Sequence, residues 1–410
     1  MYKIPRNVGY NDLAILYESL HKGGAQVVAI PVSFLEGGKF GMAGLLIQWI
    51  AAWARTGQEH LVSVSGIPVE TVLANLAEEP HGCAALYFAS GIVGVRGIRF
   101  SPAEARRYLV PGLKAMQSSR FRDTNGSRGV HLCCYQGAVN EYLLPLYGRR
   151  TEDSLRDSDG FLTLTTQLLE SFEPLAARSM KGTQLEYIAT LIEELFANTH
   201  DHARFDQDGM NYPHGNIRGI FARTFEQRAR PEDSGKDLGP LGRYLAWQSS
   251  HRKRYRRPAD VRAKGAEAKD ARDNSGDIVA PRATRFLEIT VYDAGPGLAR
   301  RWASQHVPDF AWENVSIDDE AKYVKSCFQA HATTKRNRGF GQGLTSSLEA
   351  LKALDAFMSL RTGRLFLYQD FSRQDAVGFS PEHWDERRPM LPDVPGASYT
   401  VAIPLARERK

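Results

Sequence analysis

Between residues 1 and about 150 the chain alternates short apolar runs with longer segments of helical period. "AQVVAIPVSF" reads as a buried strand, and "KFGMAGLLIQWIAAWARTG" as an apolar-faced helix that stops at a glycine. "HLVSVSG" reads as a strand, "PVETVLANLAEE" as a helix opened by proline, and "CAALYFA" as a further strand. "SPAEARRYLVPGLKAMQ" carries a Ser-Pro helix start, and the strand "GVHLCCYQ" closes the series. Short apolar runs between turn residues predict strands, whereas apolar residues three and four apart predict helices. Their alternation predicts an α/β layer. The longest apolar run, "AGLLIQWIAAWA" at 43–54, is too short to span a bilayer. It is expected to be a core helix, and no membrane contact is expected.

At 410 residues the chain has room for two domains, each with its own core. The polar stretch "GRRTEDSLRDSDG" at 148–160 marks the expected boundary. It divides an α/β regulatory or interaction domain, 1–150, from a second domain, 151–410. In pattern the first resembles a STAS-type module, the small α/β fold that partners regulatory kinases in bacteria. The start, "MYKIPRNVGYND", lacks an apolar core of the secretory kind, so a cytoplasmic protein is expected. Cys83, Cys133, Cys134 and Cys327 fit neither a metal-ligand spacing nor a disulfide framework. Reduced, buried thiols are the expectation.

The net charge of +5 is concentrated. Residues 228–284 hold 14 Lys and Arg against 8 Asp and Glu, which accounts for the whole excess. This segment reads as a basic, partly flexible insertion with room for one helix around "GRYLAWQ". Its densest run, "HRKRYRR" at 251–257, suits either a solvated surface or nucleic-acid contact.

Three segments carry chemistry. In "LIEELFANTHDHA", 191–203, Glu194, Asn198 and Asp201 fall on one side of a helix, while Leu191, Ile192, Leu195 and Phe196 face a core. In "VYDAGPGL", Asp293 ends an apolar strand and is followed by Gly295 and Gly297. In "TTKRNRGFGQGLTSSLEALKAL", Gly339, Gly341 and Gly343 alternate before a helix that starts near Leu344. A carboxylate at a strand end can accept from an exocyclic amine, and glycines beside it let the backbone approach a flat base. Glycines before a helix N-terminus leave amides free for phosphate oxygens. An amide oxygen such as that of Asn198 suits Mg²⁺, and Glu194, one turn earlier, can accept a proton from water. Singly these are a solvated helix face, a tight turn and a weak glycine signal; their order and spacing give them force together.

In that order they resemble the GHKL superfamily of gyrase, the heat-shock chaperone ATPase, histidine kinases and the mismatch-repair ATPase. "EELFANTHDHA" matches the N box, "DAGPG" the D-x-G-x-G box and "GFGQGL" the later G-x-G-x-G-L box. "GASYTVAIPL" at 396–405 resembles the closing strand of histidine kinases. The match spans about 162–228 and 285–405. It implies a two-layer α/β sandwich of the Bergerat type, with a mixed sheet under helices and with ATP and Mg²⁺ as cofactors. It further implies that Asp293 holds adenine, Asn198 binds Mg²⁺, and the backbone at Gly339, Gly341 and Gly343 cradles phosphates. Thr334 and Lys335 then belong to a lid, with Lys335 reaching the γ-phosphate, and Asp201 orients the N box or binds through water.

Two departures from the pattern bear on function. Ala397 stands where histidine kinases carry a threonine, so Ser398 or Thr400 would have to supply that hydroxyl. A phosphoacceptor helix of the dimerising histidine-kinase kind is not visible before the second domain, which argues against autophosphorylation. The expected function is a slow ATPase whose lid closure regulates a protein partner, with Glu194 as the base. The alternatives are a serine/threonine kinase of the anti-sigma type acting on a STAS-like partner, and a nucleotide sensor without turnover. A homodimer stays open as a further partner arrangement.

Overall fold

The computed structural model describes residues 1–21, 26–35, 38–57, 59–124, 129–139, 141–228, 238–251, 283–329, 343–373 and 377–405. Among them, two sheets carry the fold. The first comprises β1 (Tyr2–Lys3), β2 (Val27–Ala29), β3 (Leu61–Ser63), β4 (Gly91–Val93) and β5 (Arg99–Phe100) in chain order. Its first four strands pair in parallel and β5 adds antiparallel. Parallel neighbours need crossovers. These are α1 (Tyr10–His21), α2 (Met42–Ala54), and α3 (Val69–Leu76) with α4 (Pro80–Phe88).

After α5 (Pro102–Arg107) and α6 (Val110–Gln117) the chain enters the second sheet. Its strands are β6 (Val130–Tyr135), β7 (Ile217–Arg228), β8 (Ala283–Asp293), β9 (Phe357–Gly363), β10 (Leu365–Asp370), β11 (Glu382–His383) and β12 (Val394–Pro404). They lie in the order β11-β10-β9-β12-β8-β7-β6. Every pairing is antiparallel, which corrects the expected mixed sheet. The reason is topological: β8 and β9 run the same way, but β12 lies between them and pairs with both. β6 precedes the polar stretch at 148–160 yet pairs with β7 from Val130 to Tyr135. The second sheet therefore draws on residues from both sides of position 150.

One face of this sheet is covered by α7 (Ser158–Phe172) and α9 (Gly182–His202), the latter running on from the short α8 (Pro174–Ser179). α10 (Gly239–His251), α11 (Leu298–His306), α12 (Ile317–Cys327) and α13 (Gly343–Ala353) follow, and α13 packs along α9. The opposite face is covered by α2, which packs on α4 on one side and on β12 and β8 on the other. A helix apolar all round requires such burial. Trp49 and Trp53 are fully buried and stacked at 6.4 Å, each worth roughly 1.5–3 kcal/mol of apolar burial.

Polar contacts and a glycine hold α2 to the sheet. Gly41 N donates to Glu288 Oε1 at 2.9 Å, and Glu288 Oε2 pairs with Arg223 Nε at 2.8 Å. Gln48 Nε2 donates to the carbonyls of Arg361 and Pro395, both at 3.1 Å. A Cβ on Gly44 would fall on Ser398 Oγ and lie 2.7 Å from Thr290 Cγ2, so only glycine allows this approach.

The structure corrects other local expectations. "CAALYFA" is helical up to Phe88, the end of α4, because Pro80 sits in the first turn and the segment lacks β-branched residues. The strand comes just after it, as β4. "SPAEARRYLVPGLKAMQ" divides into α5 and α6, Pro111 opening the second; Ser101 caps α5 in a capping box with Glu104. The helix expected around "GRYLAWQ" is α10, whose Leu241, Tyr244 and Leu245 bury against Phe286 and Phe357. The rest of the basic run, 252–257, lies outside the described residues. Cys83, Cys133 and Cys134 are buried and all four thiols are free, as expected. No helix among the described residues is long and apolar enough to cross a membrane.

Candidate functional site

α9 buries Ile188, Leu191, Ile192, Leu195 and Phe196 and leaves Glu194, Asn198 and Asp201 half-buried. Asn198 Nδ2 donates to Tyr399 Oη at 3.1 Å. Tyr399 is fully buried in β12, opposite Val291 of β8 and Leu360 of β9. Its hydroxyl is held protonated, by burial first and by the nearby Asp293 carboxyl second.

Asp293 is two residues beyond Val291, on the same face of β8. Its Oδ1 accepts from Gly295 N at 2.9 Å and from Ala397 N at 3.3 Å. Only 3% of the residue is exposed, and burial outweighs those two hydrogen bonds, pushing its carboxyl up to about 7. Gly396 shapes this turn: its φ is +72°, and a Cβ there would lie 2.6 Å from Asp293 Oδ1. A Cβ on Gly295 would lie 2.5 Å from Ala203 Cα, so the turn rests on the C-terminal end of α9. Gly297, at φ +86°, opens α11.

Neither Ser398 nor Thr400 supplies a hydroxyl beside this turn. Ser398 and Thr400 point to the α2 face, where Thr400 Oγ1 bonds Thr290 Oγ1 at 3.1 Å. The hydroxyl beside the turn is that of Thr362, which faces Ala397 across β9 and β12. Thr362 Oγ1 donates to Gly396 O at 3.0 Å and accepts from Leu298 N at 3.1 Å.

The last glycine box enters the described residues at Gly343, the first residue of α13; Leu344 behind it is buried. α9 lies on one side of the second sheet, with the Asp293 turn against its C-terminal end and α13 packed along it. Thr334, Lys335, Gly339 and Gly341 lie outside the described residues. His200 is occupied in the fold, its Nδ1 bonding Tyr147 Oη at 2.9 Å. No three His, Cys, Asp or Glu among the described residues converge as a metal site.

Tyr399 and Arg55 escaped the sequence reading. Arg55 follows α2 and stacks its guanidinium 3.9 Å over the Tyr212 ring. Its Nε and Nη2 are buried without a hydrogen-bond partner among the described residues, and burial lowers its pKa. It lies within electrostatic reach of both Asp293 and Tyr87. Neither residue has a local signal, because each acts through a neighbour far away in the chain.

No model of a known protein family, no curated protein and no solved structure matches the chain.

Proposed function

We propose that the chain is a Mg-ATP-binding protein of the GHKL type, a slow ATPase whose nucleotide-dependent lid closure regulates a protein partner. The hold on Asp293 carries the reading. One carboxyl oxygen is fixed by two backbone amides, at a glycine turn that rests on the helix bearing Glu194 and Asn198. A carboxyl so fixed can present its other oxygen to the amine of a flat base, while Gly295 and Gly297 let the turn pack against Ala203 and Thr362.

In this reading Asn198 is the Mg²⁺ ligand. It fits, because Tyr399 engages Nδ2 and leaves Oδ1, a hard neutral oxygen. The ion would neutralise and orient the phosphates when bound. The amides at Gly339, Gly341 and Gly343 and the start of α13 receive phosphate oxygens, with Leu344 anchoring the helix beneath them. Thr334 and Lys335 belong to the lid, and Asp201 orients the N box. Glu194 takes the proton of the attacking water, one helical turn from Asn198. The helices over one face of the second sheet form the Bergerat-type sandwich. The N-terminal unit, STAS-like in sequence pattern, is the regulatory element, and α2 fastens it to the opposite face.

The test is phosphate release from Mg-ATP by the wild type and by Glu194→Gln, beside nucleotide binding by both. Release should fall by about 10²-fold or more with binding retained. Binding without release in both proteins would remove the ATPase reading.

A further inference from the structure

The loop at 204–215, which follows α9, faces the C-terminal end of α4 and the start of α5 across a cleft of about 760 Å³. That size suits a small organic ligand. None of Glu194, Asn198, Asp201, Asp293, Gly295, Gly297, Gly343 and Leu344 lines it.

The charge of its walls leaves a cation over. Glu152 is paired with Arg204 at 2.6 Å, and Glu141 with the buried Arg218 at 3.1 Å. Arg106 has no carboxylate partner among the described residues; its Nε donates to Tyr87 O at 3.1 Å. Its remaining N–H groups are the donors that a phosphate or carboxylate would take. His60 and His214 also line the cleft, their rings 6.0 Å apart. Tyr142, Phe205 and Tyr212 supply aromatic walls.

Gln136, just after β6, holds the loop in place: its Nε2 donates to Asn211 Oδ1 at 2.8 Å and to Arg204 O at 3.2 Å. An anion and a planar body held side by side are the features of a nucleotide.

We infer that this cleft is a second ligand site, for a nucleoside monophosphate. Arg106 pairs with the phosphate, and the base lies among Tyr142, Phe205 and Tyr212. The assignment stands apart from the Mg-ATP reading, which uses other residues.

The experiment is calorimetric titration of the full chain with adenosine 5′-monophosphate and, separately, with inorganic phosphate. Arg106→Gln should weaken nucleotide binding by about tenfold. Asn211→Asp should weaken it as well: it adds a negative charge from an exposed loop while keeping an acceptor for Gln136, so it tests the site without risk to folding. Three results would overturn the assignment. They are no binding of the nucleotide, phosphate binding as tightly as the nucleotide, and indifference to Asn211→Asp.

Discussion

The side-chain amide of Asn198 donates to the hydroxyl of Tyr399 at 3.1 Å, joining the polar stripe of α9 to the buried centre of the second sheet. The bond fixes which end of the amide faces the helix surface. Tyr399→Phe removes it while keeping the ring. A neutral hydrogen bond of this kind is worth about 1 kcal/mol, or about fivefold in an equilibrium. The Mg²⁺ concentration that half-saturates ATP binding should therefore rise by about fivefold, with ATP affinity at saturating Mg²⁺ little changed. An unaltered Mg²⁺ dependence would show that Tyr399 plays no part in positioning Asn198.

Asp293 makes stability depend on pH. Its carboxyl is held at about 7, against an ordinary 3.8. Below pH 4 the folded and unfolded chains both keep the proton. Between pH 4 and 7 the unfolded chain releases it first, so stability falls as pH rises, and above 7 the loss is complete. The full effect is on the order of 4 kcal/mol. Asp293→Asn keeps an acceptor for Gly295 N and Ala397 N but does not titrate. In denaturant melts its stability relative to the wild type should rise from pH 5 to about pH 7 and level off by pH 8. A difference that stays flat over that range would contradict the burial account.

The contact between α2 and the second sheet rests on Gly44. Gly44→Ala should gain about 1 kcal/mol of helix propensity and lose more by collision with Ser398 and Thr290. A net loss of about 2 kcal/mol in urea melts is expected. Adding Ser398→Ala removes one of the colliding atoms and should recover part of it, since contacting residues do not add independently. Strict additivity would mean that the two residues do not meet.

The elements readable from sequence were those whose own period decides their burial. α9 has apolar residues on one side and Glu194, Asn198 and Asp201 on the other, and the structure buries the first set and only half-buries the second. The run at 43–54 forms a helix buried nearly throughout. "CAALYFA" misled because a short run buried on every side has no period to read, and Pro80 was the better guide. Pairing between β6 and β7 was invisible for a different reason. It joins residues separated by more than eighty positions, through a helical segment that supplies its own local pattern. The candidate site divides in the same way. Asp293 and its glycines form a local pattern, whereas Tyr399, Thr362, Gly396 and Arg55 reach that turn through the packing of distant strands and of α2.

The most direct test of the account is equilibrium binding of ATP, with Mg²⁺ present, to the full chain and to Asp293→Ala. The account predicts saturable one-site binding by the wild type. It also predicts a loss of at least about tenfold in the variant, the scale of one charge-assisted hydrogen bond to the base. Absence of ATP binding by the wild type, or equal binding by the two proteins, would contradict it.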